Sequence, residues 1–208
     1  MIYIWLSNNY IEVFGVVTGI LYVFLEIRQN LWLWPVGIVT SAVYISVFFT
    51  GKLYADMSLQ GYYLVISVLG WYWWARNKRE SGRRGDMKKE DMKKEDMKEE
   101  LKVTRLKLKT GIILSLVFVL LYFNMWFVLS RFTDSPVPGW DSFITSLSII
   151  ATWMLARKIY EHWILWIIVN FMAATLFLMR GLYPTVILYV VYGVMSFSGL
   201  AVWKKTIT

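Results

Sequence analysis

The chain has 208 residues, 58% of them apolar and 17% Asp, Glu, Lys or Arg, whereas soluble domains average about 45–50% apolar and about 25% charged. The absence of cysteine excludes a disulfide scaffold, Cys-ligated metal sites and thiol catalysis, and a single histidine argues against an ordinary metal centre. The net charge of +8 is localised: 22 of the 36 charged residues lie between Arg76 and Lys109, which leaves 14 for the other 174 positions, too few for a soluble surface.

A bilayer core about 30 Å thick takes about 20 apolar residues per helix, and seven such runs follow in order. Tyr10–Ile27 comes after Met1–Asn9, a stretch with no basic side chain and no signal-peptide cleavage pattern. Leu31–Phe49 follows Arg28-Gln29-Asn30, and Met57–Trp74 follows Gly51-Lys52. Beyond the charged stretch lies Gly111–Leu129. Trp140–Leu155 follows a loop with two prolines, Trp163–Met179 follows Arg157-Lys158, and Tyr183–Trp203 completes the series. The runs are continuous rather than alternating, which predicts helices and not a barrel. The chain therefore divides into a three-helix unit (1–75), a charged linker (76–110), a single helix (111–129) and a second three-helix unit (130–208).

Trp and Tyr crowd the span ends, as at Trp32, Trp34, Trp71 to Trp74, Trp140, Trp163 and Trp203, which reads as an interfacial aromatic belt. Basic residues divide 19 to 3 between the two sides of a seven-span chain. That bias places the linker and C-terminus in the cytoplasm and the N-terminus outside. The linker carries Asp-Met-Lys-Lys-Glu twice, at Asp86–Glu90 and Asp91–Glu95, with a near copy at Asp96–Glu100. It lacks aromatic interleaving, so it reads as a solvated spacer rather than a nucleic-acid patch.

Sliding the sequence along itself aligns 11 identities between positions 28 and 74 at an offset of 129, among them Arg28/Arg157, Trp34/Trp163, Leu53/Leu182, Tyr63/Tyr192, Ser67/Ser196, Gly70/Gly199 and Trp74/Trp203. Four crossings separate the copies, so both face the same way. The expected fold is all-α integral membrane: seven transmembrane helices as 3+1+3 parallel repeats, the architecture of SWEET transporters, with a substrate site between the units near the midplane.

Positions 60, 63, 67, 70 and 74 share one face of the third helix. They read Gln60, Tyr63, Ser67, Gly70, Trp74 in one copy and Tyr189, Tyr192, Ser196, Gly199, Trp203 in the other. The small residues favour helix packing; Gln60, Tyr63 and Tyr192 favour a pathway. Asn170 and its counterpart Ser41 sit mid-span, where an amide either meets a ligand or bonds across helices. Glu26 and Arg28 border the cytoplasmic end of the first helix, and Arg157, Lys158, Glu161 and His162 occupy the matching corner of the second unit, which reads as an ion-paired gate of the inner mouth or as an interface. No chain of buried Asp, Glu or His suited to proton relay stands out, which favours passive movement.

The stretches Trp34–Ile38 (WPVGI), Gly51–Gln60 (GKLYADMSLQ), Gly70–Trp74 (GWYWW), Ala151–Lys158 (ATWMLARK), Trp163–Asn170 (WILWIIVN) and Gly181–Tyr183 (GLY) together resemble the nicotinamide riboside transporters of the PnuC family. The resemblance implies facilitated diffusion of a vitamin nucleoside by alternating access in a bacterial inner membrane. It also implies trapping by a cytosolic kinase, a homotrimer and no cofactor. It matches the family's site to Trp34, Gln60, Trp163, Trp166, Asn170 and Tyr192; the repeated face adds Tyr63 and Tyr189. A cationic pyridinium over a Trp or Tyr face gains about 0.5–2 kcal/mol. Thiamine, also cationic and carried by a related branch, is the alternative substrate, and a sugar is the third. No catalytic dyad or metal motif falls at a shared depth, so an enzyme is not expected.

Overall fold

The computed structural model describes residues 10–50, 54–86, 102–133, 135–179, 181 and 183–207. They form seven helices: α1 (Tyr10–Ile27), α2 (Leu33–Thr50), α3 (Tyr54–Asp86), α4 (Leu108–Phe132), α5 (Pro138–Ala156), α6 (His162–Met179) and α7 (Tyr183–Lys204). Each matches one of the seven apolar runs to within three residues at either end, the C-terminal end of α3 apart. Three stretches, Leu108–Phe132, His162–Met179 and Thr185–Lys204, are long and apolar enough to cross a bilayer, and Val13–Ile27 and Leu33–Val47 are shorter apolar helices. The N-terminal Met1–Asn9, Lys52, Arg180, the Leu53/Leu182 pair and the linker copies beyond Asp86 lie outside the described residues.

One boundary differs from the expectation. Helix α3 continues past Trp74 to Asp86, through the first eleven residues of the charged stretch.

Helix α2 packs most extensively on α3, and α6 on α7; α1 meets α2 and α7, while α5 meets α3, α4 and α6. The same local geometry recurs 129 residues apart. At the end of α1 the Asn30 N–H donates to Leu25 O at 2.9 Å; at the end of α5 the Ile159 N–H donates to Met154 O at 2.9 Å. Between these bonds Gln29 and Lys158 take φ values of +50° and +52°, the left-handed conformation that closes a helix in a Schellman cap.

The tryptophans repeat as well. Trp34 lies against Gly70 with its ring edge-on to Trp74 at 5.4 Å; Trp163 lies against Gly199 and edge-on to Trp203 at 5.9 Å. The Trp74 indole N–H donates to Ala156 O at 3.2 Å, and that of Trp203 donates to Glu26 O at 3.1 Å. The last helix of each half is thus bonded to the end of the other half's first helix. These four rings are buried in one core cluster, so Trp34, Trp74, Trp163 and Trp203 do not belong to the aromatic belt. Trp32, Trp71 and Tyr72 are exposed, as a belt requires.

Helix α4 has no buried residue and packs on α5 alone, with Phe118 edge-on to Phe143 at 5.4 Å. Before it, the extended segment 102–107 forms single bridges from Val103 to Ile207 and from Thr104 to Ile159.

Candidate functional site

Gly15, Gly19, Tyr22 and Glu26 follow one another along α1 at steps of four, three and four, one helical face. Their side chains, or the lack of one, shape the wall of a central cavity. The Tyr44 hydroxyl on α2 and the Tyr192 hydroxyl on α7 occupy the places where Gly15 and Gly19 would carry a Cβ. Glycine there lets two tyrosines reach the α1 backbone. Every helix except α4 contributes to the cavity, which encloses about 500 Å³.

Of the residues expected at a binding site, Gln60, Tyr63, Trp163, Trp166, Asn170, Tyr189 and Tyr192 line this cavity. Trp34 does not. Its ring is fully buried between Gly70 and Trp74, because the small Gly70 opens a slot one turn beyond Ser67. The face shared by positions 60, 63, 67, 70 and 74 therefore changes role along its length: Gln60, Tyr63 and Ser67 border the cavity, while Gly70 and Trp74 seat Trp34. On α7, Tyr189, Tyr192 and Ser196 border the cavity, and Gly199 and Trp203 seat Trp163. Trp163 spans both environments, since it also lines the cavity.

Asn170 is buried and donates from Nδ2 to Ser196 Oγ at 3.1 Å; Ser196 Oγ in turn donates to Tyr192 O at 2.8 Å. This is the interhelical bond expected of a packing amide, yet the same side chain borders the cavity. An amide has two donors and an acceptor, so one bond does not exhaust it. The indole N–H groups of Trp163 and Trp166, like that of Trp34, are buried and have no hydrogen-bond partner among the described residues. Stacked Phe177 and Tyr189, 5.3 Å apart, extend the aromatic surface on the α6–α7 side.

Tyr22, Tyr44, Thr40, Thr145, Ser148, Thr152 and Glu26 also line the cavity, and the sequence reading did not assign them to the site. The Gly15–Glu26 periodicity is the signal that points to the α1 wall. The buried Glu26 meets His162 across the bundle, Oε1 to Nε2 at 3.1 Å, and His162 Nδ1 faces Ile159 O at 2.7 Å. Other residues of that corner are engaged elsewhere: Arg28 lies 4.4 Å from the Phe24 ring, Arg157 5.0 Å from Trp73 and Lys158 4.5 Å from Trp74. Glu161 accepts from the Leu106 N–H at 2.7 Å.

A helical bundle of this length and apolarity, with a cavity lined by polar and aromatic side chains between its helices, is that of a multi-pass membrane protein. The family model described as nicotinamide mononucleotide transporter matches residues 9–205, and the chain belongs to that family of membrane transporters. It is 24% identical over 203 residues to the nicotinamide riboside transporter PnuC of Escherichia coli, covering 94% of this chain and 85% of that one. It is 26% identical over 192 residues to the riboflavin/roseoflavin transporter RibM of Streptomyces davaonensis, covering 92% and 83%. The crystal structure of the vitamin B3 transporter PnuC shares the fold, with a TM-score of 0.70 and 22% identity over 99% of this chain and 85% of that one.

Proposed function

We propose that the central cavity carries nicotinamide riboside across a bacterial inner membrane. The observation that carries this reading is the chemistry of the wall: Trp163, Trp166, Tyr63, Tyr189 and Tyr192 bring aromatic rings to the cavity, the groups that favour a flat cation, with Gln60 and Asn170 to hold its carboxamide and ribose hydroxyls. The described lining residues include no Lys or Arg, so a 5′-phosphate entering this volume would lose its water without a counter-charge. The riboside is therefore the cargo, and its phosphorylated form is not.

The recurrence of caps, Trp–Gly seats and crossed indole bonds at an offset of 129 supports two parallel three-helix units, residues 1–75 and 130–208, joined by the linker and α4 in the SWEET manner. Rocking of one unit against the other exposes the cavity to each side in turn. Movement is facilitated diffusion, drawn inward by a cytosolic kinase, in a homotrimer with the N-terminus outside and the C-terminus in the cytoplasm.

Purified protein should bind the riboside and not nicotinamide mononucleotide; tight binding of the nucleotide, or of neither, would sink this reading. Direct competition between riboside and thiamine separates the two cationic vitamins.

A further inference from the structure

Glu26 is the only acidic or basic side chain among the described residues lining the cavity. His162, its partner, comes from the other half of the chain, 136 residues away. Both are almost wholly buried, and the imidazole is held between the rings of Trp163 and Trp203, each at 4.7 Å. Ionisable groups at such depth are costly and are kept for function.

The two halves differ at this point in an informative way. At the offset of 129, the counterpart of Glu26 is Leu155 and that of His162 is Leu33. Those leucines are fully buried in one cluster with Trp34 and Trp74. The same corner is thus closed by leucines in one half and by an acid and an imidazole in the other. Packing alone does not require the polar version.

The hydrogen bonds define its proton content. A carbonyl oxygen only accepts, so His162 Nδ1 carries a hydrogen and donates to Ile159 O. Nε2 and the Glu26 carboxyl then share one proton, held by either group, and the pair as a whole is neutral. Without that proton the Nε2 lone pair confronts a carboxylate, an arrangement that a positive charge entering the cavity beside it stabilises.

We propose that the Glu26–His162 pair is the charge-selectivity element of the cavity, accepting a cationic ligand in exchange for its shared proton. This rests on the riboside reading above. The balance is simple: cation plus protonated pair gives cation beside the carboxylate, and one proton leaves to solvent with no other bond changed. Neutral ligands release none. Of the other titratable groups on the packed elements, Tyr22 stands one turn before Glu26 on the same wall and Tyr63 also lines the cavity, while Tyr62 donates to Ile149 O; Arg28, Arg157 and Lys158 lie over rings; Glu161 holds the Leu106 amide, and Lys204 and Lys205 are exposed.

Calorimetric titration of the full-length protein in two buffers of different ionisation enthalpy counts the protons. Nicotinamide riboside should release about one, and its affinity should rise by up to about tenfold per pH unit while the pair holds its proton. The uncharged 1,4-dihydronicotinamide riboside should release none. Glu26→Gln presents its amide N–H to Nε2 as the protonated acid would; it should lose riboside affinity by about tenfold or more and keep that of the dihydro form. The double variant Glu26→Leu/His162→Leu copies the other half's leucines, so its folding is safeguarded, and it should show the same preference. Riboside bound without proton release, or bound equally by both variants and wild type, overturns the proposal alone. No binding of either riboside overturns the riboside reading and this proposal with it.

Discussion

The indole of Trp163 lies against Gly199 so closely that a Cβ at position 199 would overlap its six-membered ring, and Trp34 stands in the same relation to Gly70. Trp163 is flanked by His162 and Trp203, and Trp34 by Trp74, so both rings sit against neighbours that resist a shift. Gly199→Ala and Gly70→Ala should therefore each destabilise the fold by about 1–3 kcal/mol through overpacking. Thermal unfolding in detergent measures this, and unchanged melting in both would show that the rings are not seated as described.

The crossed indole bonds make a separate expectation. Trp203→Phe and Trp74→Phe keep an aromatic ring but remove the indole donors of the Glu26 and Ala156 carbonyls, of which Glu26 O keeps the Gln29 N–H at 3.0 Å. Each loss should cost about 1–3 kcal/mol. A ligand-free unfolding assay reads the cost directly, and a null result for both variants would show that the seams do not depend on these bonds.

Asn170 has two roles to separate. Ser196→Ala removes the interhelical bond and leaves the amide in place, whereas Asn170→Ala removes both the bond and the cavity-facing group. If the amide holds the ligand, Asn170→Ala should weaken riboside binding by about 1–3 kcal/mol and Ser196→Ala by clearly less. Equal losses of affinity would return Asn170 to a packing role.

Trp34 and Trp163 are counterparts with different surroundings, and only Trp163 meets the cavity. Trp163→Leu should weaken binding of a cationic ligand by about 0.5–2 kcal/mol, the worth of a cation–π contact. Trp34→Leu should lower stability alone. Riboside titrations on the two purified variants distinguish these outcomes.

The chain has no cysteine, which makes single introduced thiols clean reporters of sidedness. A membrane-impermeant maleimide should label Thr133→Cys from outside intact cells and Lys205→Cys only after permeabilisation. Both positions are exposed. Labelling in the reverse order would invert the proposed orientation.

The helices were legible because a bilayer demands long apolar runs, and each run here is a helix. The repeat was legible because Trp34/Trp163 and Gly70/Gly199 are identical pairs. Their meaning was not: a Trp near a span end reads as an interfacial anchor until the facing glycine is known. Motif matching likewise assigned Trp34 to the site, where burial against Gly70 takes it away. The Glu26–His162 contact was least visible, since its partners belong to different halves and have leucine counterparts. Periodicity along α1 held the other missed signal, with Gly15, Gly19, Tyr22 and Glu26 on one face. In a helix of mean apolar character, four such residues are easily lost among their neighbours.

The extended segment 102–107 touches three places at once: Ile207 near the C-terminus, Ile159 in the turn after α5, and Glu161 before α6. The chain therefore returns to the bundle and is fastened there before α4 begins. A helix with no buried side chain of its own is in this way fixed at its foot as well as along the flank it lays on α5. Length changes in the charged stretch upstream are then isolated from the spans, much as slack in a rope does not move the post beyond the knot.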